Sequence, residues 1–508
     1  MEVYKGELMA VNQLKAGAFL SYFGLAINII VGLLYTPWMI NSIGKADYGL
    51  YTLALSVISL FVFDFGIGQA VTRFVAKYLA EGSQEKVNNC LGLVYKLYFY
   101  IDVVIFIILT SLYFFIPQIY KELTIEEIEK FKIIYIAVAF FSVMSFPFIP
   151  VNGVLTANEK FIQLKLCDLA HKLFIVFSMT FCLLLGYELY ALVGINIIAG
   201  LLTIVLKLFF IKRDTKTSIN FSYKNKVEFR EILGFSGWVT IKSLSERMIF
   251  TLSPTILGMV AGSVEIALFG ICNVIEGYVY SFAGALNGLF LPRVSQIVAD
   301  GKEDIMPLMI RVGRLLFFIT GLIIIGFITV GQDFIAIWLG EGYEITYYAT
   351  VLIILPSLFY VPQEIGCTAI AVHNKVKYQA IVYVIMGLSN VVLGYFLAKT
   401  YGCLGICTAI FIAYNIRNIG LEVVFKKQLC LHLRVFFKEV FFKMGIPLVI
   451  AGVFGYGCHF IPLSGWFGFL IKGILVVLIY GLIMWQFALS KDEKALFITP
   501  LLRVINNK

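Results

Sequence analysis

The sequence predicts an all-α polytopic membrane protein: about fourteen transmembrane helices, forming two parallel six-helix lobes plus two appended helices, with both termini in the cytoplasm. Composition, the charge of the connections and an internal repeat carry this expectation. Of 508 residues, 60% are hydrophobic and 14% charged, and the mean hydropathy is +0.91. A soluble chain carries about 25% charged residues to cover its surface. Apolar runs long enough to cross roughly 30 Å of hydrocarbon recur from end to end. In lipid each backbone polar group must be satisfied within its own segment, so such runs are helices, and the alternation of β-barrel strands is missing. The first run is too long, and lacks the small-residue cleavage site, for a cleaved signal.

In order, the spans fall near 14–36, 47–72, 91–116, 131–154, 163–185, 189–211, 232–260, 265–292, 312–332, 346–371, 378–398, 402–424, 440–461 and 466–488. Their connections alternate in charge. One set carries Arg73, Lys77 and Lys86, then Lys212, Arg213 and Lys216, then Arg293, Lys302 and Arg311, then Lys426, Lys427 and Arg434. The other holds Glu122, Glu126, Glu127, Glu188, Glu265, Asp333 and Glu341, with only Lys45, Lys121, Lys130, Lys132 and Lys399 against them. Positive charge stays inside, so both ends are cytoplasmic and the net charge of +9 needs no nucleic-acid partner. In 424–443, Phe436, Phe437, Phe441 and Phe442 interleave with Arg434, Lys438 and Lys443, the pattern of an interfacial amphipathic helix.

No connection is long enough for a folded domain, which needs at least about 50 residues, so any chemistry occurs among the helices. The nine cysteines form no CxxC and have no companion histidines, so neither a metal site nor a disulfide framework is expected, and Cys403 and Cys407 read as small packing residues.

The chain also repeats itself. Gly44-Lys45-Ala46-Asp47-Tyr48-Gly49-Leu50-Tyr51 matches Gly262-Ser263-Val264-Glu265-Ile266-Ala267-Leu268-Phe269 at a shift of 218. Ala157-Asn158-Glu159-Lys160 matches Val372-His373-Asn374-Lys375 at a shift of 215. Duplicating six helices, an even number, preserves orientation. The expected organisation is an N-terminal lobe 1–211, a basic linker 212–231, a second lobe 232–424, and 425–508 holding the amphipathic segment, the two appended helices and a basic tail. A site at the repeat interface with lobes rocking about it is the logic of alternating access.

Leu33-Leu34-Tyr35-Thr36-Pro37 through the Gly44–Tyr51 turn, then Asp64-Phe65-Gly66-Ile67-Gly68-Gln69-Ala70-Val71-Thr72-Arg73, resembles the polysaccharide transporter family. These are the O-antigen and teichoic-acid-type flippases of the multidrug/oligosaccharidyl-lipid/polysaccharide exporter superfamily. Asn152-Gly153, Asn158-Glu159-Lys160-Phe161 and Trp338-Leu339-Gly340 extend the likeness over roughly 10–430. The resemblance implies a flippase in a bacterial plasma (inner) membrane that moves an undecaprenyl-pyrophosphate-linked oligosaccharide between leaflets. It implies coupling to protons or sodium in some members, membrane lipid and other polysaccharide-assembly proteins as partners, and no other cofactor. Helix 1 lacks the basic residue that some lipid-linked-precursor flippases carry there.

A charge at midplane costs about 2.5–3.5 kcal/mol even on the lenient scale, so each needs a reason. The seventh span carries Lys242, Glu246 and Arg247, whereas its first-lobe counterparts, Gly24 and Asn28, are uncharged. Two readings fit: a Lys242–Glu246 pair with Arg247 reaching Glu276, or Arg247 and Lys242 on a pyrophosphate, for which guanidinium is the planar donor. Glu276 is then either a counter-ion or a protonatable coupling group. Asp102 and Asp64 are candidates for buried pairing, hydrogen bonding or ion coupling, and Arg73 is either a cytoplasmic anchor or a first contact for the incoming pyrophosphate. Asp168, His171 and Lys172 share a face of the fifth span, with His171 a potential relay. Glu364 follows Pro362 and Pro356, whose helix breaks mark moving or binding segments.

A multidrug cation antiporter of the same superfamily is the nearest rival, although those transporters usually have twelve helices. A membrane-embedded polymerase or ligase needs a large external loop bearing catalytic groups; the longest here is short and lacks His and Arg. No enzyme is expected.

Overall fold

The structure is a computed structural model describing residues 29–287, 305–373, 375–491 and 493–495, with Gly24, Ala26, Ile27, Val294 and Ile297. Asn28, Arg293, Lys302 and Asn374 lie outside the described residues. Among those described there is no strand. Among the same residues, ten helices are long and apolar enough to cross a membrane.

In the first half the helices are α1 (Ile29–Ile43), α2 (Lys45–Phe61), α3 (Ile67–Ala80), α4 (Gln84–Ile119), α5 (Ile125–Ser145), α6 (Val151–Ala157), α7 (Phe161–Leu184) and α8 (Leu189–Asp214). Next come α9 (Lys226–Phe250), α10 (Ser253–Val260), α11 (Ser263–Asn287), α12 (Met306–Leu339), α13 (Glu344–Ile354), α14 (Ser357–Tyr360) and α15 (Glu364–Val372). The last are α16 (Val376–Gln428), α17 (Leu433–Phe437), α18 (Lys443–Tyr456) and α19 (Gly465–Ile483). α16 merges two helices through Gly402, whose φ of 54° and ψ of −130° are not helical.

The sequence repeat reappears in the backbone. Gly44 and Gly262, 218 apart, both have positive φ (86° and 92°) and directly precede α2 and α11. Prolines break the corresponding spans at the other shift: the 3-10 turn Phe146–Phe148 holds Pro147, and the turn Val361–Gln363, 215 further on, holds Pro362. Each removes a helical N–H and crowds the preceding turn.

The second and fourth expected spans are broken, and the expected interfacial segment is displaced. The second span stops at Phe61 and restarts at Ile67. The fourth is split into α5 and α6, with Pro150 as the N-cap of α6. The segment 424–443 is no separate interfacial helix: α17 runs through a π-turn, Lys438–Phe442, into α18. Phe436 is fully buried there, and a Cβ on Gly313 would come within 3.0 Å of its ring, so packing against α12 overrides the basic-aromatic alternation.

The chain forms two compact units, Met1–Gly270 with Gly387–Ile406, and Ile271–Met386 with Cys407–Lys508. α9 and α10, which the repeat groups with the later helices, belong to the first unit, and the linker shows why. Asn220 donates from its backbone to Asn88 O (3.1 Å) and from its side chain to Asn89 Oδ1 (2.7 Å), while Lys96 Nζ donates to Tyr223 O (2.8 Å). The linker lies so flat on α4 that a Cβ on Gly92 would stand 1.9 Å from Asn220 O. Tyr78 and Tyr223 then donate to the two oxygens of Glu228, in the first turn of α9.

The second unit is closed by buried ion pairs. Arg314 Nε and Nη2 donate to Glu493 (2.6 and 2.9 Å), and its remaining donors reach the Glu439 and Ala488 carbonyls. Lys472 Nζ donates to Asp333 Oδ2 at 2.7 Å. Both bring the appended α18–α19 hairpin and the chain beyond it onto α12.

Candidate functional site

In the first unit the Asp64-Phe65-Gly66 run is the break between α2 and α3. Phe65 and Gly66 take positive φ (51° and 66°), and no side chain fits at residue 66, where a Cβ would meet Val239 at 2.7 Å. Several polar groups at the break have protein partners. Asp64 Oδ1 accepts from Gly68 N (2.8 Å) and from the Tyr98 hydroxyl (3.0 Å), and Thr240 Oγ1 donates to Phe65 O (2.5 Å). Asp64 therefore caps α3 and ties it to α4. A Cβ on Gly153 would press on Gly68 O at 2.7 Å, so two stretches of the family-like pattern are one packing contact.

Arg247, in the last turn of α9, donates through Nη1 to Ser59 O and lies 4.7 Å over the Phe63 ring. It has no carboxylate within ion-pair distance among the described residues. Glu246, beside it in sequence, is bridged to Lys242 at 3.1 Å, the internal pair expected from the i,i+4 spacing. Arg247 and Glu276 each have partners within their own unit. Lys242 and Glu246 remain partly open, their side chains 27% and 43% exposed.

Asp102 lies one turn beyond Tyr98 on α4, is 9% exposed, and its Oδ1 is buried without a hydrogen-bond partner. Arg73 is exposed on α3. Asp168, His171 and Lys172 do not act as a cluster. Asp168 pairs with Lys207 (3.1 Å) and His171 Nδ1 meets Thr203 Oγ1 (2.9 Å), both stitching α7 to α8.

The second unit holds a buried polar cluster. Arg417, 4% exposed on α16, donates through Nη2 to the Tyr383 hydroxyl at 2.6 Å and through Nη1 to Asn418 Oδ1 at 3.3 Å. Glu364 Oε1 stands 3.8 Å from Nη2, and the guanidinium lies 5.0 Å over the rings of both Tyr360 and Tyr383. Tyr360 stacks on Tyr414 and turns its hydroxyl to Glu276, which is 7% exposed. Glu422 lies nearby, beside Gln363. The cluster thus joins Glu276 and Glu364, which sequence reading considers separately, through an arginine that it does not single out. The signal for Arg417 was available, an arginine within the apolar run 402–424, but only contacts between distant helices reveal its partners.

Helices of this length and apolarity, with buried ion pairs and proline-broken spans, define a multi-pass, all-helical membrane protein. The polysaccharide biosynthesis protein family matches residues 14–298, more than half the chain, and the chain belongs to that family. A Shigella flexneri protein that carries the name O-antigen transporter is 24% identical over 416 residues, 78% of this chain and 93% of that protein. Among solved structures, the lipid II flippase MurJ in an inward closed conformation aligns with a TM-score of 0.71 at 18% identity, covering 95% of this chain and all of MurJ. An inward-facing MATE multidrug transporter of the MOP superfamily aligns at 0.63 with 14% identity, over 81% and 98% of the two chains. The fold is that of MurJ and MATE transporters.

Proposed function

We propose that this protein is a flippase that carries an undecaprenyl-pyrophosphate-linked oligosaccharide across the bacterial inner membrane for surface polysaccharide synthesis. The observation that carries the reading is the family match across 14–298, together with a MurJ- and MATE-like fold and, among the described residues, no folded domain outside the helices. The Shigella relative's name points to glycan transport rather than synthesis, which favours a carrier over a polymerase or ligase.

For the diphosphate, Lys242 is the first candidate, a partly open cation on a membrane helix, and Arg73 the contact on the cytoplasmic side. Glu246 holds the Lys242 ammonium while no ligand is bound, and a diphosphate outcompetes one carboxylate by charge. Arg247 is already engaged by Ser59 and Phe63, so the reading gives it no phosphate.

Coupling, in this reading, falls to the buried cluster of the second unit. A guanidinium keeps its proton, so Arg417 neutralises one carboxylate of the cluster, and in a site of low dielectric the others are neutral only when protonated. Glu364 is the direct partner, and of the remaining Glu276 and Glu422 the buried Glu276, joined to the cluster through Tyr360, is the candidate to exchange the proton. Asp102 is a second protonatable candidate.

Reconstitution tests both statements. Vesicles loaded with labelled undecaprenyl-pyrophosphate oligosaccharide should show protein-dependent flipping that falls at least about tenfold in Lys242→Ala, the loss of one charge-assisted contact of roughly 1.5–3 kcal/mol, and that survives in Lys242→Arg. An imposed proton gradient should accelerate the wild type but not Glu276→Gln; acceleration by sodium alone would move the coupling to that ion. Flipping no faster than in protein-free vesicles, with extrusion of cationic drugs instead, would replace the reading by a multidrug antiporter.

A further inference from the structure

We propose that Arg247 is a tethered cation: its guanidinium fills a monovalent-cation site built from the ends of two interrupted helices in the first unit. The inference concerns Arg247 alone and does not depend on what the protein carries.

The reasoning starts from the backbone. α2 ends at Phe61, so the Ser59 carbonyl, which would have accepted from residue 63 in a continuous helix, is freed. α9 ends at Phe250, because Pro254 has no N–H to return to the Phe250 carbonyl. Both α2 and α9 therefore present C-terminal ends, each carrying about half a negative charge. Arg247 belongs to the last turn of one and donates to the last turn of the other. Two α9 carbonyls meet side-chain donors: Asn390 Nδ2 donates to Met248 O (2.9 Å), and the Ser253 hydroxyl to Ile249 O.

The environment suits a cation, and among the described residues no carboxylate lies within ion-pair distance of Arg247. The Phe63 face lies 4.7 Å from the guanidinium carbon, and Phe63 is itself stacked on Phe65 at 4.0 Å. Glu246 is occupied by Lys242. A helix C-terminus, a freed carbonyl and an aromatic face are what a bound monovalent cation meets in transporters with discontinuous helices. Here the covalently attached guanidinium takes that place, so the first unit needs no exchangeable ion at this point. In this reading the helix ends and an aromatic ring compensate the Arg247 charge.

The test uses the full-length protein in detergent, read by thermal unfolding, with Arg247→Ala, Arg247→Lys and Arg247→Gln side by side. Lysine and glutamine both keep a donor for Ser59 O, but only lysine keeps the charge. The expected order of stability is wild type, then lysine, then glutamine, then alanine. Millimolar guanidinium or methylguanidinium should raise the unfolding midpoint of the alanine variant by several degrees, with no gain for the wild type and none from choline at equal ionic strength. Glutamine as stable as lysine would overturn the proposal by making the residue a simple hydrogen-bond donor. An alanine variant as stable as the wild type, or one that choline rescues as well as guanidinium, would overturn it too. Should the alanine variant not fold, the lysine–glutamine comparison still decides.

Discussion

At the scale of single residues, the charges that look alike in sequence separate into three kinds. Arg314 is enclosed, with donors on Glu493, Glu439 O and Ala488 O. Arg247 is matched to helix ends, and Arg417 is shared between tyrosines and Glu364. Arg417→Met should destabilise the protein by about 3 kcal/mol, because removing one partner leaves a buried carboxylate unpaired. The double variant Arg417→Met/Glu364→Gln should recover part of that loss, and detergent unfolding midpoints of the two singles and the double measure the coupling. Glu493 adds a pH dependence. Burial pushes its carboxyl upward, but the hydrogen bonds from Arg314 and the Ser490 backbone outweigh this and hold it below the usual carboxylate range. A folded-state value below the unfolded one means stability that is present above the unfolded value and lost as pH falls through the folded one. Acidification below the normal carboxylate range should therefore release the segment after α19, seen as faster protease cleavage there. Glu493→Gln, lacking that group, should already be cleaved faster at neutral pH and show no further acid step.

At the scale of elements, the structure depends on interruptions more than on the helices themselves. In lipid there is little hydrophobic gain from bringing helices together, so close backbone approach does the work. On α2, a Cβ at Gly49 would come 2.0 Å from Ser263 O, which leaves room for hydrogen alone between the paired turns of the repeat. Gly92 plays the same part for the linker. Gly92→Ala should lift residues 218–223 from α4, at a cost of about 1–3 kcal/mol for overpacking a tight contact. Amide exchange should show it as lost protection at Asn220, whose N–H donates to Asn88 O in the native chain. The prolines were visible in sequence as breaks in the tenth span, and both Pro356 and Pro362 do interrupt it. The break at Asp64–Gly66 was not, since no proline marks it: there a glycine in the left-handed region and an aspartate cap replace the helical bonds.

At the scale of the whole molecule, the family and the all-helical membrane fold follow from apolar run length and a few turn motifs, and both stand in the structure and its relatives. The repeat predicts where homologous turns and breaks fall, and the backbone repeats them at the same shifts of 218 and 215. Because the linker and Glu228 fasten the start of α9 to α3 and α4, this helix is expected to move with the first unit in any rearrangement. A reducible thiol-specific cross-linker spanning Tyr78→Cys and Glu228→Cys, which meet in the native chain only through their side-chain ends, should therefore leave the proposed flipping intact once the native cysteines are removed; loss of flipping that reductant restores would show that the two segments must part.

What the sequence determined by itself is whatever depends on local composition: helices from apolar runs, breaks from proline, tight turns from Gly44 and Gly262, and the internal Lys242–Glu246 pair from i,i+4 spacing. Only the tertiary structure decided how the remaining intramembrane charges are balanced. Arg247 found Ser59, 188 residues away, and Arg417 found Glu364 and Tyr383 on other helices. The physical reason is that a buried charge is compensated by whatever dipole or ion lies within a few ångströms, and helix packing, rather than spacing along the chain, sets that neighbourhood.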